Sequence, residues 1–272
     1  MTMTMTSHDT ITEQEFGRFQ RFIFDAAGIT ISPAKKAMLC GRLGKRLKAH
    51  SLQTYTQYLK LLESREGSGE VQTAIDLLTT NETYFFREPK HFDLLRSIAA
   101  AHTGSTPFRC WSAASSSGEE AYSMAMVLDD TLQGRPYEVI GTDISTRVLA
   151  KARTGHYPLL RIEHMPPAML KRYCLKGRGE YEGSMLIDRK IRDHVRFLHA
   201  NLNATLPNLG QFDVVFLRNV MIYFNGQTKR EVVARVLGTL KRGGIFCIGH
   251  SESLNDVNGD VVQIAPSVYR KP

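Results

Sequence analysis

The chain contains no run of 18 apolar residues, so no membrane-spanning helix is expected. Its start, "MTMTMTSHDT", lacks the basic and apolar regions of a signal peptide and reads as a polar end. Cysteine is sparse. Cys40, Cys110, Cys174 and Cys247 are scattered without metal-ligand spacing, so no metal centre is expected and reduced thiols are. Two of them, Cys110 and Cys247, sit in apolar, strand-like runs. A complete G-x-G-x-x-G fingerprint is missing, which makes a dinucleotide pyrophosphate a poor fit. No internal repeat is evident.

What is present is an ordinary globular composition. The 272 residues are 42% hydrophobic and 23% charged, enough for one large domain or two smaller ones. The formal net charge of +8 favours an acidic partner without saying which kind. Residues 33 to 50, "PAKKAMLCGRLGKRLKAH", carry six Lys and Arg and no acid. Leu39, Leu43 and Leu47 recur every four residues, as on an amphipathic helix, and Lys35, Arg42 and Arg46 fall on one stripe beside them. The stripe is either a solvated face or a docking face for an acidic partner.

The rhythm divides near residue 105. Helical patterns in "EQEFGRFQRFIFDAAG", the basic helix and "TYTQYLKLLE" predict a small all-helical domain over 1–78. A connector over 79–104 follows, and residues 105–272 form an α/β domain. In that part "FRCWSAA", "YEVIGTDIS", "HVRFLHANL", "FDVVFLRNV" and "GGIFCIGHS" read as strands with helices between, which predicts a parallel sheet covered on both faces.

Such sheets bind ligands at the carboxyl ends of their strands, where the polar residues of this chain cluster. "SAASSSGEE" follows the first strand with small residues that permit close approach to the backbone. Asp143 ends the second strand, where it could accept two ribose hydroxyls or simply cap the next helix. Glu119 could complement a helix amino end or pair with a cationic ligand group. A nucleoside with a positive centre and no phosphate suits the three features together, and S-adenosylmethionine is that ligand.

These stretches, with "TTNETYFFREPKHF", "WSAASSSGEEAYSMA", "GTDISTRVLAKARTGHY", "FLRNVMIYF" and "GHSES", make the chain resemble the chemotaxis-receptor glutamate O-methyltransferases, the CheR family. The resemblance covers nearly the whole chain. It implies a helical first domain and a Rossmann-like S-adenosylmethionine methyltransferase domain with one reversed hairpin strand. A small antiparallel β-subdomain is inserted at about 157–193. Cofactor contacts are implied at Asn81, Thr83, Arg87, Glu119, Asp143, Asn201, Leu202, Arg218 and Asn219, with S-adenosylhomocysteine as product. Asn201 could also serve only a turn. Arg87 and Tyr223 are implied to carry catalysis, Arg87 as a carboxylate clamp. Arg87 could instead pair with Glu88 or Asp93, and Tyr223 could merely cap the core.

The implied partners are the acidic signalling helices of chemoreceptors, met by Lys35, Arg42 and Arg46. A receptor's carboxyl-terminal tail is a second candidate, adding a strand to the inserted subdomain near Gly177 and Gly179, with Lys176 and Arg178 as positive charge. Arg189, in the following "SMLIDRK", is out of register with the arginine expected to meet that tail. The alternative is a hairpin that only covers the sheet. The family setting implies a cytoplasmic monomer associated with membrane receptor arrays, with no nucleic acid bound. A nucleic-acid methyltransferase would carry Asn or Asp before Pro-Pro and an aromatic where this chain has "RNVMIYF". A non-catalytic binding module would not need both Arg87 and Tyr223.

Overall fold

The computed structural model describes residues 11–255, 257 and 260–272, so the polar start read from Met1–Thr10 lies outside the described residues. The chain divides into two units. One runs up to Thr80 and takes in Tyr223–Thr228, and the other holds Asn81–Ile222 and Lys229–Pro272.

The first unit is helical. Helix α1 (Glu13–Ala27) opens with a capping box in which the Thr12 hydroxyl accepts from the Glu15 N–H and Glu15 accepts from the Thr12 N–H. The other Glu15 oxygen takes the N–H and hydroxyl of Thr56, which ties this end to the start of α3. A 3₁₀ turn at Pro33–Lys35 leads into α2 (Lys36–Ala49), and Leu39, Leu43 and Leu47 are buried as their spacing requires. Helix α3 (Tyr55–Glu63) repeats the capping box with Thr54 and Gln57. The structure then adds α4 (Ser68–Leu78), a helix within 1–78 that no clear sequence pattern announces.

The basic stripe is partly consumed inside this unit. Arg42 donates to the carbonyls of Leu77 and Thr79 at 3.1 and 3.0 Å, at the carboxyl end of α4. Arg46 forks onto Glu70 with two contacts of 2.7 Å, and the Tyr58 hydroxyl adds a third at 2.6 Å. Burial alone would raise the Glu70 carboxyl, but Arg46 and Tyr58 outweigh it and hold it down at about 2. The Lys35 ammonium lies 5.2 Å from the centre of the Tyr223 ring.

The second unit begins with the aromatic connector and α5 (Lys90–Ala101), a helix inside the expected connector. Then follow β1 (Phe108–Ala113), α6 (Glu119–Leu132), β2 (Tyr137–Asp143) and α7 (Thr146–Thr154). The insertion holds β3 (His156–Pro158), α8 (Pro167–Tyr173), β4 (Cys174–Lys176), β5 (Ser184–Ile187) and the single turn α9 (Arg189–Arg192). The main sheet resumes with β6 (Val195–His199), β7 (Phe212–Leu217), α10 (Gly226–Gly238), β8 (Leu240–Ile248), β9 (Val262–Ala265) and β10 (Val268–Arg270).

The main sheet runs β6-β2-β1-β7-β8-β10-β9. The first five strands are mutually parallel, and β10 turns antiparallel to β8 and β9, giving the reversed strand. Its interior is near-continuously apolar, as a strand covered on both faces must be. Trp111 of β1 is fully buried and stacks on Phe212 at 5.5 Å. The free thiols of Cys110 and Cys247 are buried in β1 and β8.

The insertion forms its own antiparallel sheet, β3-β5-β4. Gly177 turns so tightly after β4 that a Cβ there would stand 1.9 Å from the Tyr181 carbonyl oxygen. Among the described residues no helix is long and apolar enough to cross a membrane.

Candidate functional site

The strand order places β2, β1 and β7 side by side, so their carboxyl ends form one rim. After β1 the backbone leaves the sheet through Ala114 and Ser116 at φ 80° and 49°, and reaches Gly118 at φ 96° before α6 begins. The N–H groups of Ala114 and Ser115 both donate to the Thr142 carbonyl, at 2.9 and 2.7 Å. Asp143 fixes the next residue. One of its oxygens accepts from the Ser116 N–H at 2.9 Å and the other from the Ser145 N–H at 2.8 Å. The Asp143 carbonyl accepts from the Ala200 N–H, which brings the end of β6 alongside. This one aspartate therefore orients three strand ends.

Glu119 is the first residue of α6 and is fully buried. One oxygen accepts from the Ser117 hydroxyl at 2.7 Å. The other, Oε1, has no hydrogen bond among the described residues, and its nearest cation, Arg161, stands 3.7 Å away. Burial pushes the Glu119 carboxyl up, against the pull of Ser117 and Arg161. A buried carboxylate oxygen without a donor suits an incoming cation. The Ser115 hydroxyl, in the loop that leads to α6, is likewise buried and without a partner among the described residues.

The stretch "TTNETYFFREPKHFD" supplies the facing wall. Phe85 and Phe86 are buried, Phe85 edge-on to Tyr157 at 5.0 Å and Phe86 against Phe92 at 5.2 Å. These anchors leave the intervening polar residues at the rim. The Asn81 carbonyl accepts from the Ser116 hydroxyl at 3.0 Å, and the Thr83 carbonyl from Arg161 at 2.8 Å. Arg87 is half-buried, donates weakly to the Glu82 carbonyl at 3.3 Å, and lies 5.6 Å from the Tyr84 ring centre. Among the described residues it forms no ion pair with Glu88 or Asp93, and Glu88 faces Arg218 instead.

Arg218, just past β7, is wholly buried between Glu88 at 3.3 Å and Glu120 at 3.4 Å, and it donates to the Arg87 carbonyl. Burial would raise the Glu88 carboxyl, but Arg218, the His250 N–H and the Asn219 amide outweigh it and hold it low. At Glu120 burial wins over Arg218 and the carboxyl is raised. Asn219 adopts φ 57°, donates from its side chain to Glu88 at 3.3 Å, and gives its N–H to Glu252 at 2.9 Å. Phe86 and Glu88 also have positive φ, so with Ala114, Ser116 and Asn219 the left-handed non-glycine residues concentrate on this rim.

Asn201 caps its own turn by accepting from the Asn203 N–H at 2.9 Å, and Leu202 is buried with its carbonyl bound to Arg235. Thus Asn81, Thr83, Arg87, Glu119, Asp143, Asn201, Leu202, Arg218 and Asn219 all belong to the second unit. Tyr223 belongs to the helical unit, where its carbonyl accepts from the Thr30 N–H.

Sequence reasoning passed over Glu252 of "GHSES", which accepts from the N–H groups of Asn219, Gly249 and Met221 and so shapes the ends of β7 and β8. Its signal was an acid among polar residues after the last parallel strand. Glu88, His91 and His250 also gather, with one possible metal-ligand atom each within 4.8 Å of one another. The Arg218 guanidinium already faces the same Glu88 oxygen, so the chain itself supplies positive charge there.

The donor set fits S-adenosylmethionine: an unsatisfied buried carboxylate for the ammonium, an oriented aspartate for the ribose, and a small-residue loop between them. The comparisons agree. A family model described as the CheR methyltransferase SAM binding domain matches residues 81–269, and its all-alpha domain matches 14–79. The chain is 40% identical over 272 residues to the chemotaxis protein methyltransferase of Escherichia coli, covering 98% of this chain and 94% of that one. It is 38% identical over 270 residues to the Salmonella typhimurium protein of the same name, covering 98% and 93%. It is 36% identical over 262 residues to chemotaxis protein methyltransferase 2 of Pseudomonas aeruginosa, covering 95% and 93%.

Proposed function

The chain belongs to the CheR methyltransferase family, a cofactor-dependent methyltransferase of chemotaxis, and on that premise we propose that its acceptor is the side-chain carboxylate of glutamates on chemoreceptors. The product is a glutamate methyl ester that adjusts receptor signalling. The observation that carries this reading is Arg87, a guanidinium on the rim with no ion pair among the described residues. Its fork is shaped for a carboxylate.

S-adenosylmethionine supplies an electrophilic methyl group when bound. A glutamate side chain has a pKa of about 4.3, so the acceptor is ionised near neutral pH and no general base is required. The chain's task is alignment. Glu119 and Asp143 hold the two ends of the cofactor, and Arg87 presents the acceptor to it. Tyr223 is our second catalytic assignment, beside the methyl group or the acceptor. Arg218 and Asn219 contribute the strand-end contacts, and Asn201 and Leu202 the wall for the adenine. Label transfer from methyl-labelled cofactor to purified receptor tests the proposal. Label on RNA, or on neither, would overturn it.

Two binding results follow. Asp143→Ala is expected to weaken S-adenosylhomocysteine by about 1–3 kcal/mol, read by calorimetry, because a buried hydroxyl pair loses its acceptor. Unchanged affinity in a folded variant would remove the ribose role. Affinity is also expected to fall as pH drops through the raised pKa of Glu119. The sign follows from the ligand's ammonium, which pairs with the ionised carboxyl, and Lys151, Arg161 and Tyr157 are the charged or titratable groups around it. Glu119→Gln should bind more weakly and lose this pH dependence.

Docking remains our reading of Lys35, Arg42 and Arg46 against acidic receptor helices, with the protein as a cytoplasmic monomer visiting receptor arrays and leaving nucleic acid alone. Because Arg42 and Arg46 also hold α4, Lys35→Glu is the cleaner variant. Receptor methylation should weaken and lose salt sensitivity while cofactor affinity holds. The tail-binding proposal at Gly177 and Gly179 draws support from the outer strand β4, where Leu175 is exposed, and from exposed Tyr181. Arg189 lies on α9, ion-paired with Asp193, and not on the strand. A free tail peptide that fails to bind below about millimolar would place docking on the helices alone.

A further inference from the structure

Glu119 answers one charge of an amino-acid zwitterion, and the opposite charge needs a cation nearby. Arg161 is placed for it. It ends the 3₁₀ turn Leu159–Arg161 that follows β3, so it comes from the inserted subdomain. Its Nη1 donates to the Thr83 carbonyl at 2.8 Å and stands 3.7 Å from the buried, unsatisfied Oε1 of Glu119. That distance is too long for a hydrogen bond, so the pair is electrostatic and leaves the carboxylate oxygen open to a donor. Apart from the Thr83 carbonyl, Arg161 makes no hydrogen bond among the described residues, and its side chain is 42% exposed. A guanidinium has five donors, so the fork retains the capacity to take a carboxylate.

The position of this side chain is not left to a loose loop. The Tyr157 hydroxyl of β3 donates to the Ser117 carbonyl at 2.6 Å, and the same ring packs edge-on to Phe85. Two anchors thus pin β3 to both walls of the site, and Arg161 follows four residues later. The cations facing Glu119 are Arg161 and Lys151.

We propose that Arg161 is a cofactor-binding residue whose guanidinium holds the α-carboxylate of the methionine moiety, while Glu119 takes the α-ammonium. The assignment rests on the cofactor reading of Glu119 and extends it to a residue of the inserted subdomain. Arginine is suited because its planar fork meets a carboxylate through two parallel N–H bonds. The alternative is a tie between subdomain and connector, with the Thr83 carbonyl as its whole purpose.

Three ligands separate these. S-adenosylhomocysteine carries both charged groups, its decarboxylated counterpart keeps only the amine, and 5′-methylthioadenosine has neither. Calorimetry on full-length Arg161→Ala is expected to show S-adenosylhomocysteine weakened about tenfold to a hundredfold, as for a lost charge-assisted bond, with the other two ligands unchanged. Arg161→Lys should recover part of the loss, since it keeps the charge without the fork. Equal weakening of all three ligands would mean a structural tie, and no weakening would mean a bystander; either overturns the proposal. Tighter S-adenosylhomocysteine binding in Arg161→Ala would also overturn it, by showing that the arginine competes with the ligand. With Arg161 intact, Asp143→Ala weakening all three ligands keeps the cofactor reading standing whichever way Arg161 falls.

Discussion

Arg218→Met is expected to destabilise the second unit by about 3–5 kcal/mol, because it strands two carboxylates in the interior. Glu88 and Glu120 lie 3.3 and 3.4 Å from the guanidinium, and the side chain has no solvent exposure. Its stacking over Phe92 and Phe216 would be kept in part by methionine, so the loss is chiefly electrostatic. A transition of a unit this size moves by roughly 2–4 °C per kcal/mol, so the melting midpoint should fall by about 6–20 °C. Adding Glu120→Gln should return part of the loss by removing one stranded charge. A single variant that melts with the wild type would show that the ion network contributes nothing net.

Arg87→Ala is expected to do the reverse: large in rate and small in stability. Its guanidinium is half-buried, makes one long hydrogen bond to Glu82, and pairs with no acid among the described residues. Removing it leaves no buried partner behind. If it aligns the acceptor carboxylate, turnover should drop by about a hundredfold or more, the scale set by losing orientation at the reacting centre. Tyr223→Phe should cost less. The measurement is receptor methylation at saturating cofactor, beside a thermal melt of the same sample. Near-normal methylation by Arg87→Ala would remove the clamp from the proposal.

Much of the architecture was legible because it rests on local pattern. Leu39, Leu43 and Leu47 declared a buried helix face, and continuous apolar runs such as "FDVVFL" declared strands covered on both sides. Two helices escaped. In α4 the glycines of "SREGSGE" interrupt the helical pattern, and the helix begins without a side-chain cap. In α5 the preceding aromatics and Pro89 masked a helix that starts at once. The site was harder for another reason. Periodicity showed that Arg42 and Arg46 share a stripe, but not that α4 would supply Glu70 and its terminal carbonyls to them. Glu252 and Arg161 take their meaning from partners 33 and 42 residues away, and no local signal reports such pairing.

Trp111, stacked on Phe212 between neighbouring strands, is the chain's single tryptophan. The protein therefore carries an intrinsic optical reporter confined to one unit. Emission excited at the indole follows the β1–β7 seam and is blind to the helical unit, whereas helical dichroism follows both. Denaturant curves from the two signals would superimpose only if the units unfold as one cooperative system. Separated curves would give each unit its own free energy without any engineered label.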